Sequence, residues 1–307
     1  MKRNNFVTLF TILIALFLFV GLADAETITI WGRENNTELV VKNFNTHMEN
    51  QGKDIEAKFQ LIPYEQQNQK LMASFAAGNP PDLVSLDIIL HPYYNSIDAF
   101  ADLTDFVNSL PYRDALPQGM LNLGKEDGKL HGVPYTVDLS AFIWNKDLFE
   151  KEGLDPNNPP ETWEELIEIG KKLTKDTDGD GTPDQYGLGM VGKSAGWHMF
   201  GFMPFVWANG GNLVTEEGKS GINEPEAIEA IEFWTDLIHE HKIAPKTAGT
   251  WGYTDVYNAF ITNKIGMMVS GNFNILTFKQ DAPELNYGIT YIPRPKDGHH
   301  SSFSGGN

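Results

Sequence analysis

Asp176, Asp178, Asp180 and Asp184 stand in the loop DTDGDGTPDQYG, with Gly181 among them. They fill positions 1, 3, 5 and 9 of a calcium-loop pattern whose sixth position is glycine. Oxygens at alternate positions of a tight turn converge on one hard cation, and glycine permits the sharp bend. The twelfth position, where a bidentate glutamate would close the shell, holds Gly187. The spacing therefore leaves two readings open, a weak calcium site and a solvated acidic turn; neither is catalytic. A second group is aromatic. Trp197, Trp207, Trp251 and Phe273 sit beside Gly, Asn or Thr in GWH, VWANGG, TWGYTD and GNF, away from any amphipathic period. Rings among carboxylates and amides suit sugars, whose C–H faces stack while their hydroxyls take polar partners. Local packing is the alternative for any one ring.

The third candidate is a single carboxylate. The run from His131 to Lys146, HGVPYTVDLSAFIWNK, is rich in β-branched and aromatic residues and carries Asp138 alone among them. It reads as an extended segment buried on both faces. At about 3.3 Å per residue it would span roughly 50 Å, more than one sheet, which predicts a chain leaving one α/β lobe and entering a second. A carboxylate on such a bridge is unfavourable unless paired. Asp138 is either a ligand contact at the crossing or a satisfied structural aspartate.

Catalytic patterns are not found. The sequence has no cysteine, no G-x-S-x-G turn, no H-E-x-x-H, no Walker loop and no G-x-G-x-x-G after a strand. A glycosidase would need facing carboxylates, and Glu164 and Glu165 are adjacent on one helix, where neighbours diverge. Binding without chemistry is the expected class, with no cofactor required beyond the calcium that the aspartate loop would take.

Lys2 and Arg3, an apolar stretch from Phe6 to Leu22, and Ala23-Asp24-Ala25 make a secretory signal peptide cut after Ala25; an uncleaved anchor helix is the competing reading. The expected location is periplasmic or extracellular, with no lipid anchor on a cysteine. Lys and Arg number 23 against 41 Asp and Glu, a net charge of −18. Such a surface repels nucleic acid and anionic membranes and suits a soluble monomer with a neutral or cationic partner.

The elements that would position these groups follow from periodicity. Thr27 to Trp31 is a first strand that delivers Trp31, Arg33 and Glu34 to its carboxyl end, where open α/β sheets bind ligands. Val40, Phe44, His47 and Met48 mark a helix face, Ile55 to Leu61 a strand, Tyr64 to Ala77 a helix with Leu71, Met72 and Phe75 on one face, and Asp82 to Leu86 a strand ending at Asp87. A weaker helix is expected over Asp98 to Leu110, with Leu103 and Phe106 inward. Beyond the bridge, Thr162 and Glu165 form a capping box, a helix starts at Pro225, and Gly266 to Ser270 is a buried strand. The expected division is a first α/β lobe over 26–136 and a second over 137–302.

Together the stretches ITIWG, FAAGNPPDLVSLD, GKLHGVPYTVDLSAFIWNKDLFEKEGLDPNNPPETWEELIEIGKKLT, DTDGDGTPDQYG, WANGGNLV and NAFITNKIGMMVSGNF resemble the extracellular solute-binding proteins of ABC importers, in the group of the maltose-binding and glycerol-phosphate-binding proteins. The resemblance implies a two-lobed α/β periplasmic-binding-protein fold of type II with a hinge between lobes. It further implies capture of a mono- or oligosaccharide and delivery to a membrane permease. Glycerol-phosphate or another small polar solute is the alternative, and a secreted glycosidase a more distant one. It implies ligand contacts at Asp87, Asp138, Asn272 and Phe273, the last standing where the pattern usually has tryptophan. It also implies that residues 303–307, FSGGN, begin a crossing back to the first lobe, so that the fold is expected to be incomplete at its C-terminus.

Overall fold

The computed structural model describes residues 26–33 and 36–306, so the expected signal peptide and Glu34 lie outside the described residues. The chain is α/β and divides into two compact units, passing from the first to the second between Tyr135 and Thr136. Ten strands are described: β1 Glu26–Gly32, β2 Ile55–Leu61, β3 Leu83–Val84, β4 Lys125–Glu126, β5 Lys129–Leu130, β6 Val137–Asn145, β7 Tyr186–Gly189, β8 Ile265–Gly271, β9 Tyr287–Thr290 and β10 Ser304–Gly306.

The first unit is built on a parallel sheet in the order β2-β1-β3. Helix α1, Asn36–Asn50, docks on β2 through Asn45, whose Nδ2 donates to Ala57 O at 2.9 Å and whose Oδ1 accepts from Ala57 N at 2.8 Å. That anchor sets the helix phase. Thr37 and Val41 are buried, Phe44 and Met48 half-buried, while Val40, expected inward, is 49% exposed. Helix α2, Tyr64–Ala76, buries Leu71 and leaves Met72 outward. The expected helix over Asp98 to Leu110 is shorter. Asp98 has a positive φ of 53°, Asp102 Oδ1 accepts from Thr104 N at 2.9 Å, and the helix runs only Thr104–Ser109, with Phe106 57% exposed rather than packed.

The second unit is organised by β6. The apolar run is one nine-residue strand over Val137–Asn145, buried at Ser140 and from Phe142 to Asn145 but open at Val137 and Leu139. Continuous burial on both faces is thus confined to its second half. On one edge β6 pairs antiparallel with β8; on the other it pairs with β9 near its end and with β10 at its start. β7 extends the sheet from β8 in parallel. Helix α3, Trp163–Leu173, starts in the expected capping box: Thr162 Oγ1 accepts from Glu165 N, and Glu165 Oε2 accepts from Thr162 N, both at 3.3 Å. Such a cap contributes about 1 kcal/mol to the helix end. Helix α4, Pro225–His239, buries Ala227, Ala230 and Leu237.

The cores are unequal. Among the described residues, the second unit holds apolar clusters of twenty-one and eight buried side chains, the first unit two clusters of three. Each fully buried large apolar side chain contributes roughly 1.5–3 kcal/mol, so the second unit has far more to lose on opening. In native-state hydrogen exchange, amides of β1 to β3 should exchange faster than those of Ser140 to Asn145 and of β8. Equal protection in the two sets would contradict this ranking.

Candidate functional site

Asp138 faces the same side of its sheet as Ser140, because alternate residues of a strand share a face. Register places Gly305 of β10 opposite Asp138 and Gly271 of β8 opposite Ser140. Both are glycines, so this face carries no side chain at those two points. The rings two residues away lie over them: Phe303 covers Gly305, and Phe273 covers Gly271. Phe303 and Phe273 thus flank the Asp138 and Ser140 positions from the two edges of β6.

Both ring-bearing segments are tied to β6. Ser140 N donates to Phe303 O at 2.9 Å, and Ser140 Oγ accepts from Phe303 N at 2.8 Å. On the other edge Asn272 N donates to Leu139 O at 3.1 Å, Asn272 Oδ1 accepts from Leu139 N at 3.1 Å, and Asn272 Nδ2 donates to Val137 O at 3.2 Å. The Asn272 amide, expected as a ligand contact, is committed to the strand and positions its neighbour Phe273.

Four more rings complete the surface. Phe200 lies 6.1 Å from Phe273 and 5.6 Å from Phe303, bridging them. Trp197 meets Phe273 edge-on at 6.2 Å and stacks on Tyr253 at 4.6 Å with planes 4° apart, while Trp207 stacks against Phe303 at 6.3 Å. All six rings are half-buried. The tryptophans Trp197 and Trp207 are helical rather than in loops: a turn at Ala195–Trp197 passes through His198–Phe202 into the helix Met203–Ala208. There Met203 N bonds His198 O, five residues back, a widened turn that shifts the rings off the ordinary helical phase. Trp251 stands apart, packed beside the second core, its carbonyl accepting from Gly192 N and Lys193 N at 3.0 and 3.1 Å.

A buried polar network fixes Tyr253. Asn274 is fully buried; its Nδ2 donates to Tyr253 OH at 3.0 Å, and its Oδ1 accepts from the hydroxyl of buried Ser270. Burial pushes the Tyr253 phenol up to about 12.

The first unit places its candidates separately. Arg33 Nη1 lies 3.1 Å from Asp87 Oδ2, with only 17% and 14% of the two side chains exposed. Asp87 Oδ1 also accepts from Ile89 N at 3.3 Å. Trp31 packs on the Leu71, Leu86 and Tyr94 cluster, with Lys70 Nζ 4.9 Å above its ring.

In the acidic loop, one carboxylate oxygen from each of Asp176, Asp178 and Asp180 lies within 4.8 Å of the others. Asp184 is not brought into this group: its carboxylate accepts from Thr177 N at 2.8 Å and Thr177 Oγ1 at 2.6 Å. Hydrogen bonds from the backbone of Gly181 foremost, then of Gly179, hold the Asp176 carboxyl below its ordinary range. The Thr177 hydroxyl, then its backbone N–H, does the same for Asp184. Position 12 has a physical reason for glycine. Gly187 lies in β7 directly against Gly170 of α3, so a Cβ there would overlap the helix backbone.

Sequence reasoning missed Phe200, Tyr253 and Phe303. Tyr253 and Phe303 lie in the motifs TWGYTD and FSGGN; Phe200 carries no signal, because the widened turn breaks helical periodicity.

The Tyr253 environment has a pH consequence. Its proton is held to about 12 when folded against 10.0 in the free side chain, so the unfolded chain releases it first as pH rises. The stability this group supplies is complete below pH 10.0 and declines toward about 12. Melting temperature should fall across that window more steeply in the parent chain than in Tyr253→Phe. Equal slopes would contradict the assignment.

Residues 35–307 match the family model for bacterial extracellular solute-binding proteins. A binding protein of Brucella abortus is 29% identical over 249 residues, which is 81% of this chain and 58% of that protein. An arabinooligosaccharide-binding protein of Halalkalibacterium halodurans is 24% identical over 80% of this chain and 54% of its own length. The chain thus spans little more than half the length of these curated relatives. Among solved structures, an ABC transporter solute-binding protein of Thermotoga lettingae bound with α-D-tagatose superposes with a TM-score of 0.80 at 26% identity, over 92% of this chain and 71% of that one. Two α/β units, the strand order around β6 and a family match over nearly the whole described chain lead to one assignment: this chain belongs to the bacterial extracellular solute-binding protein family.

Proposed function

We propose that this chain is a secreted carbohydrate-binding component of an ABC importer, which captures a mono- or oligosaccharide and hands it to a membrane permease without a reaction of its own. The observation that carries the reading is the six-ring surface beside Asp138. Sugar C–H faces stack on half-buried rings, and a carboxylate on the same sheet face accepts hydroxyl hydrogens. Relatives and structural neighbours named for arabinooligosaccharide and tagatose support the solute class.

The alternatives fit less well. A phosphate ester calls for cationic donors, and Arg33, the cation placed by the first strand, is paired with Asp87. For a glycosidase, Glu165 is engaged in the helix cap. Secretion through residues 1–25, action as a monomer without nucleic acid, and division of the protein near residue 136 belong to the same reading. No helix among the described residues is long and apolar enough to cross a membrane.

Titration calorimetry against a saccharide panel that includes D-tagatose, maltose and arabinotriose tests the reading. At least one saccharide should bind, and Trp197→Ala should weaken it by on the order of tenfold, the scale of one lost stacking contact. Binding of glycerol-phosphate but of no saccharide would contradict it.

The Asp176, Asp178 and Asp180 group supports weak calcium binding as a structural accessory. Three carboxylate oxygens within 4.8 Å suit a hard cation, with carbonyls and water left to complete the shell in place of a position-12 glutamate. Equilibrium dialysis should detect bound calcium at roughly millimolar concentration, and lose it in Asp176→Asn. No uptake by the parent chain would contradict this.

A further inference from the structure

We propose that Gly271 and Gly305 are positioning residues, whose missing Cβ atoms let Phe273 and Phe303 sit against the sheet on either side of Asp138. This rests on reading the aromatic surface as the carbohydrate site.

The two glycines have no conformational reason to be glycine. Neither has a positive φ, in contrast to Gly306 next to Gly305, at φ 136°. Alanine at either position is therefore compatible with its backbone. What alanine would meet is a ring. The three nearest atoms to a Cβ on Gly271 all belong to the Phe273 ring, and those to a Cβ on Gly305 all belong to the Phe303 ring. The backbone around each is held by the hydrogen bonds of Asn272 and Ser140 to β6 and its partners, so the ring has to give way.

The same device occurs in the core with a different outcome. Gly288 of β9 pairs with Trp144 of β6, and the indole lies over it. That ring is buried, and its Nε1 donates to Pro156 O at 2.9 Å, so glycine there serves packing alone. Phe273 and Phe303 are only half-buried, and a phenyl ring has no polar atom to anchor it. A ring seated against a bare strand keeps its remaining surface available to a ligand. A ring displaced by a methyl group moves that surface and also disturbs Phe200, which touches both. Glycine in a strand interior weakens the sheet relative to alanine, so Gly305 at the middle of β10 is a feature in need of a reason.

The test is a cycle of Gly271→Ala, Phe273→Ala and the double variant, with the Gly305 and Phe303 cycle beside it. Each is titrated with whichever saccharide of the panel above binds the parent most tightly. Gly271→Ala should lose affinity by about tenfold, as Phe273→Ala does, and the double variant should lose no more, because without the ring the methyl group loses the three nearest atoms it would displace. Parent-like affinity in both glycine variants, or losses that multiply in the double variant, would overturn the proposal. Crystal structures of Gly271→Ala and Gly305→Ala read ring placement directly: rings lifted from the sheet are expected, and rings lying as in the parent overturn it. If the parent chain binds no saccharide, the carbohydrate reading fails while the crystal structures still decide the seating. Should a glycine variant fail to fold, the double variant, relieved of the clash, should fold; failure of both would place the fault in the strand and overturn the proposal.

Discussion

Strand β6 is hydrogen bonded along both edges, to β8 on one side and to β9 and β10 on the other, and the positions of the other functional elements follow from that double pairing. Its second half is buried, which fixes register: a slip of one residue would turn Phe142 and Trp144 out of the larger core. Its first half is exposed at Val137 and Leu139, while Asp138 is half-buried on the opposite face, which it shares with Ser140. One strand thus supplies core packing at one end and a half-buried carboxylate at the other. The chain enters this strand directly after it leaves the first unit.

Around Asp138 the rings are held by means that differ in kind. Tyr253 is fixed by the Ser270 and Asn274 network, so that its plane is set before any ligand arrives. Trp197 inherits that plane by stacking on it. Phe273 and Phe303 are fixed through the backbone, by side chains that satisfy strand groups rather than solvent. Preorganisation of this sort reduces the side-chain entropy lost on binding, which amounts to about 0.5–1.5 kcal/mol for each freely rotating group. The acidic loop is held in a comparable way: its neck is closed by Lys175 and Gln185, and Lys175 Nζ reaches Glu152 at 3.4 Å.

Much of this is legible in the sequence, and the failures have identifiable physics. Alternation and apolar runs disclose β1, β2 and β8, and the capping box over Thr162 and Glu165 is present in full. The phase of α1 is not legible, because Asn45 bonding to Ala57 outweighs the pull of Val40 toward the core. Trp197 and Trp207 read as loop residues because the helix carrying them contains a five-residue turn, which no regular period describes. Asp184 matches a calcium ligand by spacing, yet the N–H and hydroxyl of Thr177 together hold its carboxylate, and spacing carries no sign of that competition. The glycines under Phe273 and Phe303 are invisible for a further reason: their meaning lies in pairing across strands that are far apart in the sequence.

On this account the solute is recognised on the face of β6 that bears Asp138, between its flanking rings. A crystal structure of the chain with its tightest-binding saccharide tests this most directly. The account predicts a sugar ring stacked on Phe273, Phe303 or Trp197, with a hydroxyl donating to the Asp138 carboxylate. A saccharide bound elsewhere, touching neither these rings nor Asp138, would contradict it.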